Sequence, residues 1–300
     1  MPPEDQLQPQ LLDPQTLSEL GDLDVISLRV VEGLISGIHR SPYRGSSVEF
    51  AEHRMYTPGD EVRAIDWRTY AKRDRYYIKE YEAETNAPVT FVLDASGSMG
   101  FGMSTITKFR YAQIALVCLA RLALHQRDAV GFVVSGSPQS GYLPPRALAS
   151  QLSLLIHMMG SIKPAEDHPV ASALDILGRR QRRRGLVIVA SDCFEPTPTL
   201  MDALHGLQVR GQDVILLHIM APEELSFAFN RWSRFISLES PLLRREVDPA
   251  SIRKKYLASV SKFLGEVKKG CGESGIHYIP VSTDQSIGTT LFDALRMRGR

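Results

Sequence analysis

Apolar residues recur along this chain in two rhythms, and the change between them divides it. From about Asp13 to Ile38, Leu17, Leu20, Leu23, Ile26, Val30, Leu34 and Ile38 return every three or four positions, which predicts an amphipathic helix. Ahead of it, MPPEDQLQPQLLDPQ is rich in proline and glutamine, and residues 1–15 read as a disordered tail. After the helix, charged and aromatic residues mix, and Ser41-Pro42 and Pro58-Gly59-Asp60 mark turns. Short strands are expected near Ser46–Phe50 and Tyr76–Tyr81, with a helical turn around Glu61–Trp67.

From Val89 onward the rhythm changes to short apolar runs alternating with longer amphipathic stretches. The runs Val89–Leu93, Val130–Val134, Leu186–Ala190, Val214–Ile219 and His277–Val281 predict strands. Helices are predicted near Lys108–His125, Leu148–Met159, Val170–Arg180 and Thr199–Val209. A later helix is capped by Asp248, carries Pro249 in its first turn and is expected to end at Gly270; a last one spans about Thr289–Met297. This alternation argues an α/β fold, a doubly wound, mostly parallel sheet over residues 88–300, preceded by a smaller helical and β-rich segment at 16–87.

Composition narrows the function classes. A formal net charge of +1 supplies no global field toward nucleic acid or an anionic membrane. The three cysteines, Cys118, Cys193 and Cys271, lie far apart without metal-site or redox-pair spacing. With no secretory pattern and no apolar run of spanning length, a cytoplasmic protein without a membrane span is expected. No Gly-x-x-x-x-Gly-Lys-Ser/Thr run occurs, so ATP hydrolysis by this chain is not expected.

The chemistry gathers at the end of the first strand of the sheet, in VTFVLDASGSMG. In an open parallel sheet, ligands sit beyond the carboxyl ends of the strands. Asp94 stands there, followed by Ser96 and Ser98. One carboxylate and two hydroxyls form a hard oxygen set suited to Mg²⁺ or Mn²⁺. The same residues would also serve as caps of backbone amides in an ordinary strand-to-helix turn. A second strand, Leu186–Ala190, ends likewise in Ser191 and Asp192, which would deliver Asp94 and Asp192 to one edge.

The DASGS run and the later VIVASD strand end resemble the von Willebrand factor A domain and its metal-ion-dependent adhesion site. That family holds one divalent cation with an Asp-x-Ser-x-Ser loop, a threonine from a second loop and an aspartate from a third. The resemblance assigns Asp94, Ser96, Ser98 and Asp192 as metal ligands. The upstream segment HRSPYRGSSVEFAEHRMYTPGDEVRAIDWRTYAKRDRYYIKEYEAE is similar to the bacterial family called domain of unknown function 58. That resemblance implies a protein-binding or adaptor role beside a MoxR-type AAA ATPase in chaperone-like assembly. One departure from the pattern is His168, which stands where the second-loop threonine is expected. An imidazole is softer and bulkier than a hydroxyl and favours transition metals over Mg²⁺.

Two rival readings use the same stretches. Ser96 or Ser98 with His168 and Asp192 would make a hydrolase trio, although no Gly-x-Ser-x-Gly elbow or evident oxyanion loop accompanies them. Residues 67–81 interleave basic side chains with rings, as single-stranded nucleic-acid sites do, but Asp74 and Glu80 interrupt the run and Asp66 and Glu82 flank it. The Arg179, Arg180, Arg182, Arg183 and Arg184 cluster falls at a helix C-terminus, where positive charge is favourable in any case.

Overall fold

A computed structural model gives the fold and describes residues 13, 14, 17, 21–40, 53–55, 77–79, 88–103, 106–135, 141–165, 169–229, 232–239 and 244–298. In chain order, α1 is Leu23–Arg40, β1 His53–Met55, β2 Tyr77–Lys79 and β3 Pro88–Leu93. A 3₁₀ turn at Gly97–Gly100 leads to α2, Lys108–His125. Then come β4 Ala129–Val134, β5 Tyr142–Arg146, α3 Ser150–Ser161, α4 Val170–Arg180 and β6 Gly185–Ser191. Next are α5 Thr197–Val209, β7 Gln212–Met220, α6 Pro222–Ser226, β8 Ser233–Ile236 and β9 Arg244–Val247. The chain closes with α7 Pro249–Glu273, β10 His277–Ser282 and α8 Ile287–Arg298.

Six strands form one sheet in the order β10-β7-β6-β3-β4-β5. Every pairing is parallel except β4 with β5. Side chains of the buried strands alternate between two cores, as the two-residue period requires. Phe91 and Leu93 face a cluster shared with α1, α2, α3 and α8, while Val92 faces one shared with α4, α5 and α7. Helices therefore cover both faces, and the doubly wound α/β fold expected from the alternation is the fold observed.

The molecule divides into two units, Met1–Ser36 with Ala87–Arg300, and Gly37–Asn86. Within the second, β1 and β2 pair antiparallel. The sequence grouped the N-terminal helix with these short strands. Its buried Leu23, Ile26, Val30 and Val31 instead join the core of the α/β unit. The expected strand at 46–50 and helical turn at 61–67 lie outside the described residues.

Several boundaries moved for local reasons. The helix expected from Asp13 is interrupted where Gly21 adopts a φ of 71° and the Asp22 side chain accepts the Asp24 N–H at 2.8 Å, starting α1 afresh. Asp248 caps α7 as expected, accepting the Ala250 N–H at 3.1 Å. The helix runs past Gly270, because that glycine makes room for Met201: a Cβ there would stand 2.7 Å from its sulfur. Gly275, with φ of 67°, follows the end instead. The edge strand β5 contains Pro144 and Pro145, which hid it in the sequence; prolines are tolerated there because an edge leaves N–H positions unpaired.

Candidate functional site

The chain leaves β3 toward α2 in one core and leaves β6 toward α5 in the other. A crevice opens between the two strand ends, at the switch point of the sheet. Leu93 is in register with Ala190, and the Asp94 N–H donates to the Ala190 carbonyl at 3.0 Å. That puts Asp94 beside Ser191, whose hydroxyl donates to Asp94 Oδ2 at 2.6 Å. Asp94 Oδ1 accepts the Ser96 N–H at 2.9 Å, closing the turn that carries the two serines. Ser135 at the end of β4 accepts the Ala95 N–H at 2.8 Å. The Ser96 and Ser98 hydroxyl oxygens stand 3.1 Å apart.

Two other segments frame this loop. Ala165 pairs with Ser96 as a parallel bridge and donates its N–H to the Ala95 carbonyl at 3.0 Å. On another side, a Cβ on Gly97 would come within 2.3 Å of the Leu238 carbonyl oxygen, so only glycine lets the β8–β9 connection lie this close.

Asp192 is held by a residue the sequence reading passed over. Lys108, the first residue of α2, is fully buried, and its Nζ donates to Asp192 Oδ2 and to Glu224 Oε1, each at 2.7 Å. Burial works against its charge, but the Asp192 and Glu224 carboxylates outweigh it and hold the pKa above the ordinary lysine value. Asp192 Oδ1 accepts the Phe194 N–H at 3.1 Å, so both oxygens are engaged. Glu224 Oε2 accepts the Ala221 N–H at 2.8 Å, which ties α6 to the same group. His218 bonds the Asp192 backbone carbonyl at 3.0 Å and the Tyr278 hydroxyl at 2.9 Å, and burial lowers its pKa to about 4. Cys193 follows in a left-handed conformation, φ 58°, a strain held in place by its N–H bond to the Ser191 hydroxyl.

Asp94, Ser96, Pro169, Val170, Phe194 and Glu195 line a cavity of about 300 Å³, with Glu239 at its side. Glu195 Oε1 accepts the Ala171 N–H at the start of α4, at 3.2 Å. Its other oxygen, Oε2, is buried without a hydrogen-bond partner. Burial, then the Asp94 charge, pushes the Glu195 carboxyl up to about 7. Burial, then Asp192, pushes Asp94 up to about 6. Asp94, Asp192 and Glu195 thus raise one another's burden of negative charge, and Lys108 pairs with one of the three, Asp192, and with Glu224.

Such a set fits the hard divalent cation that the motif implies. The donors are oxygens, one of them orphaned, and the surplus charge is negative. Among the described residues no three His, Cys, Asp or Glu side chains form a metal cluster by themselves, so the serine hydroxyls would be needed to complete a shell.

The structure therefore brings Asp94, Ser96 and Ser98 together and places Asp192 next to them on Lys108. His168 lies outside the described residues, as does all of 67–81 except the strand Tyr77–Lys79. Lys108, Glu195, Glu224 and Ser135 were missed. Among them Lys108 alone left a trace in the sequence, as a cation at the N-terminus of a helix, where the macrodipole disfavours positive charge. No helix among the described residues is long and apolar enough to cross a membrane.

The chain is 23% identical to uncharacterized proteins of Mycobacterium bovis (Mb1516) and Mycobacterium tuberculosis (Rv1480), over 99% of this chain and 95% of each relative. Among solved structures, it is similar to the SpRpn10 VWA domain, with 10% identity, a TM-score of 0.42, and 69% of this chain and 93% of that one covered. It is also similar to BatB from Bacteroides thetaiotaomicron, with 17% identity, a TM-score of 0.43, and 71% and 100% covered. A family model described as "Protein of unknown function DUF58" matches residues 52–262, most of the chain, and the protein belongs to that family.

Proposed function

We propose that this protein is a non-catalytic protein-binding module whose docking site is the Asp94 crevice. Asp94, Ser96 and Ser98 are the residues that would hold a Mg²⁺ or Mn²⁺ ion, with Asp192 beside them on Lys108. The ion, once bound, supplies an electrophilic centre that an acidic side chain of a partner completes. The observation that carries this reading is the paired serine hydroxyls, 3.1 Å apart, on a turn fixed by Asp94 beside a surplus of carboxylate. Phe194 is exposed at the cavity wall, and Leu238 is exposed on the adjoining segment, so apolar surface flanks the polar centre. In line with the family resemblance, the partner is a MoxR-type AAA ATPase, which would supply the energy that this chain has no phosphate loop to extract.

Of the rival hydrolase trio, the Ser96 hydroxyl faces Ser98, and His168 lies outside the described residues. The buried imidazole nearest in bonding, His218, is spent on Tyr278 and a carbonyl.

The test is an affinity pull-down from native lysate with wild type and Asp94→Ala, each with Mg²⁺ and with EDTA. Partner retention by wild type in Mg²⁺ alone is the expected result. Equal retention in all four arms would remove the cation from the mechanism.

A further inference from the structure

Resting on the cation reading, we infer that Glu195 is a direct ligand of the ion and that Asp192 is not. A ligand must offer charge that no other cation already holds. Both Asp94 oxygens accept hydrogen bonds, but from neutral donors, the Ser191 hydroxyl and the Ser96 N–H. Asp192 is instead paired with an ammonium: Lys108 takes one of its oxygens at 2.7 Å and the Phe194 N–H the other at 3.1 Å, inside a fully buried ion pair. Bringing Asp192 onto a cation means detaching an ammonium that is itself wholly buried and shared with Glu224.

Glu195 has the opposite situation. Three residues past Asp192 in the loop leaving β6, it lines the same cavity as Asp94 and Ser96. Oε1 is anchored on the Ala171 N–H at the positive end of α4, which fixes the carboxylate in place. The Val170 N–H also acts on the carboxylate, but Oε2 is buried without a hydrogen-bond partner of its own. A buried carboxylate oxygen without a partner carries a large desolvation penalty, and a hard cation is a group that removes it. Lys108 then has a defined part: it neutralises Asp192, so that Asp94 and Glu195 present the anionic oxygens inside the cavity, with the exposed Glu239 at its lining as well. These two carboxylates and the Ser96 and Ser98 hydroxyls leave the remaining positions of an octahedron for water and a partner.

The experiment is Mn²⁺ binding to the full chain, read by electron paramagnetic resonance of the free ion, with circular dichroism on every variant. Wild type should bind. Glu195→Gln keeps an oxygen acceptor for the Ala171 N–H and should fold, while binding Mn²⁺ on the order of tenfold more weakly or worse. Glu239→Gln, at the same cavity, should bind within about twofold of wild type if direct ligation rather than diffuse charge is responsible. Glu195→Cys gives a readout that a through-space role does not move. A thiolate ligand should shift the preference for Cd²⁺ over Mn²⁺ by on the order of tenfold relative to wild type.

Wild-type Mn²⁺ binding with Glu195→Gln unchanged, or with Glu195→Cys showing the wild-type Cd²⁺ preference, overturns the assignment of Glu195 and leaves the cation reading standing. Equal losses in Glu195→Gln and Glu239→Gln overturn it as well. No binding by wild type at millimolar Mn²⁺ sinks the cation reading itself.

Discussion

Replacing Lys108 with Met removes the ammonium at the centre of the site while keeping much of its apolar stem. Lys108 and Asp192 are both 0% exposed, and Glu224 is 12% exposed. The substitution leaves Asp192 with one backbone N–H and Glu224 with another, and takes away the ammonium that paired with both. Breaking a buried pair by removing one member is destabilising by about 3–5 kcal/mol, because the remaining charge stays desolvated. Domains of this kind have about 5–15 kcal/mol in all, so Lys108→Met should lose roughly a fifth or more of its stability. Rings of Phe101 and Phe194 lie 5.9 and 5.4 Å from Nζ, and the Met sulfur retains part of that contact. The assay is urea unfolding followed by circular dichroism in EDTA, on Lys108→Met, Asp192→Asn and the double variant. The double variant should be more stable than the sum of the single losses implies, by at least about 1 kcal/mol, since residue 192 no longer leaves a lone charge and only Glu224 still faces the lost ammonium. A loss under 1 kcal/mol for Lys108→Met, or strict additivity of the two substitutions, would refute the argument from buried charge.

In metal-free buffer, folded Asp94, raised from 3.8 to about 6, takes up its proton before the unfolded chain does, so acidification across that interval stabilises the fold. Folded His218, lowered from 6.5 to about 4, resists the proton that the unfolded chain accepts, so acidification between those values destabilises it. Asp94→Asn removes the first effect and keeps the second; between pH 7 and pH 4 it should lose on the order of 2–3 kcal/mol relative to wild type, and an unchanged difference in urea titrations would contradict the sign. Gly97→Ala should drive its new methyl into the Leu238 carbonyl, lowering stability by about 1–3 kcal/mol and raising hydrogen exchange across 233–247; normal protection there would mean the segment does not rest on the Asp94 turn.

Residues that act through their neighbours in sequence were legible. The strand Val89–Leu93, helices α2 and α4, and the Asp248 cap were all read from periodicity and capping chemistry, because these depend on side chains a few positions apart. Gly270 was misread for the converse reason. A glycine suits both a helix end and a close helix crossing, and only the position of Met201, distant in sequence, separates the two roles. The β8–β9 pair escaped altogether: Ser-Arg-Phe-Ile and Arg-Arg-Glu-Val show no alternation of a buried face, and β9 is largely exposed.

The site divides along the same line. Asp94, Ser96 and Ser98 sit within five residues, so their convergence follows from one tight turn, and the motif declared it. What the motif left open is which carboxylates keep their charge free for a ligand. That depends on Lys108, 84 residues from Asp192 and 116 from Glu224, and on the α4 N-terminus that anchors Glu195 across 24. A buried ammonium is the strongest local constraint on a neighbouring acid, since each partner makes the other's exposure to solvent or metal more difficult. The loop after β6 thus supplies two acids with separate duties: Asp192, turned inward to hold Lys108 and through it α6, and Glu195, left with an unpaired oxygen at the cavity. Spacing alone cannot distinguish these duties, because the charge that separates them is delivered by α2, which packs against the other strand of the switch point.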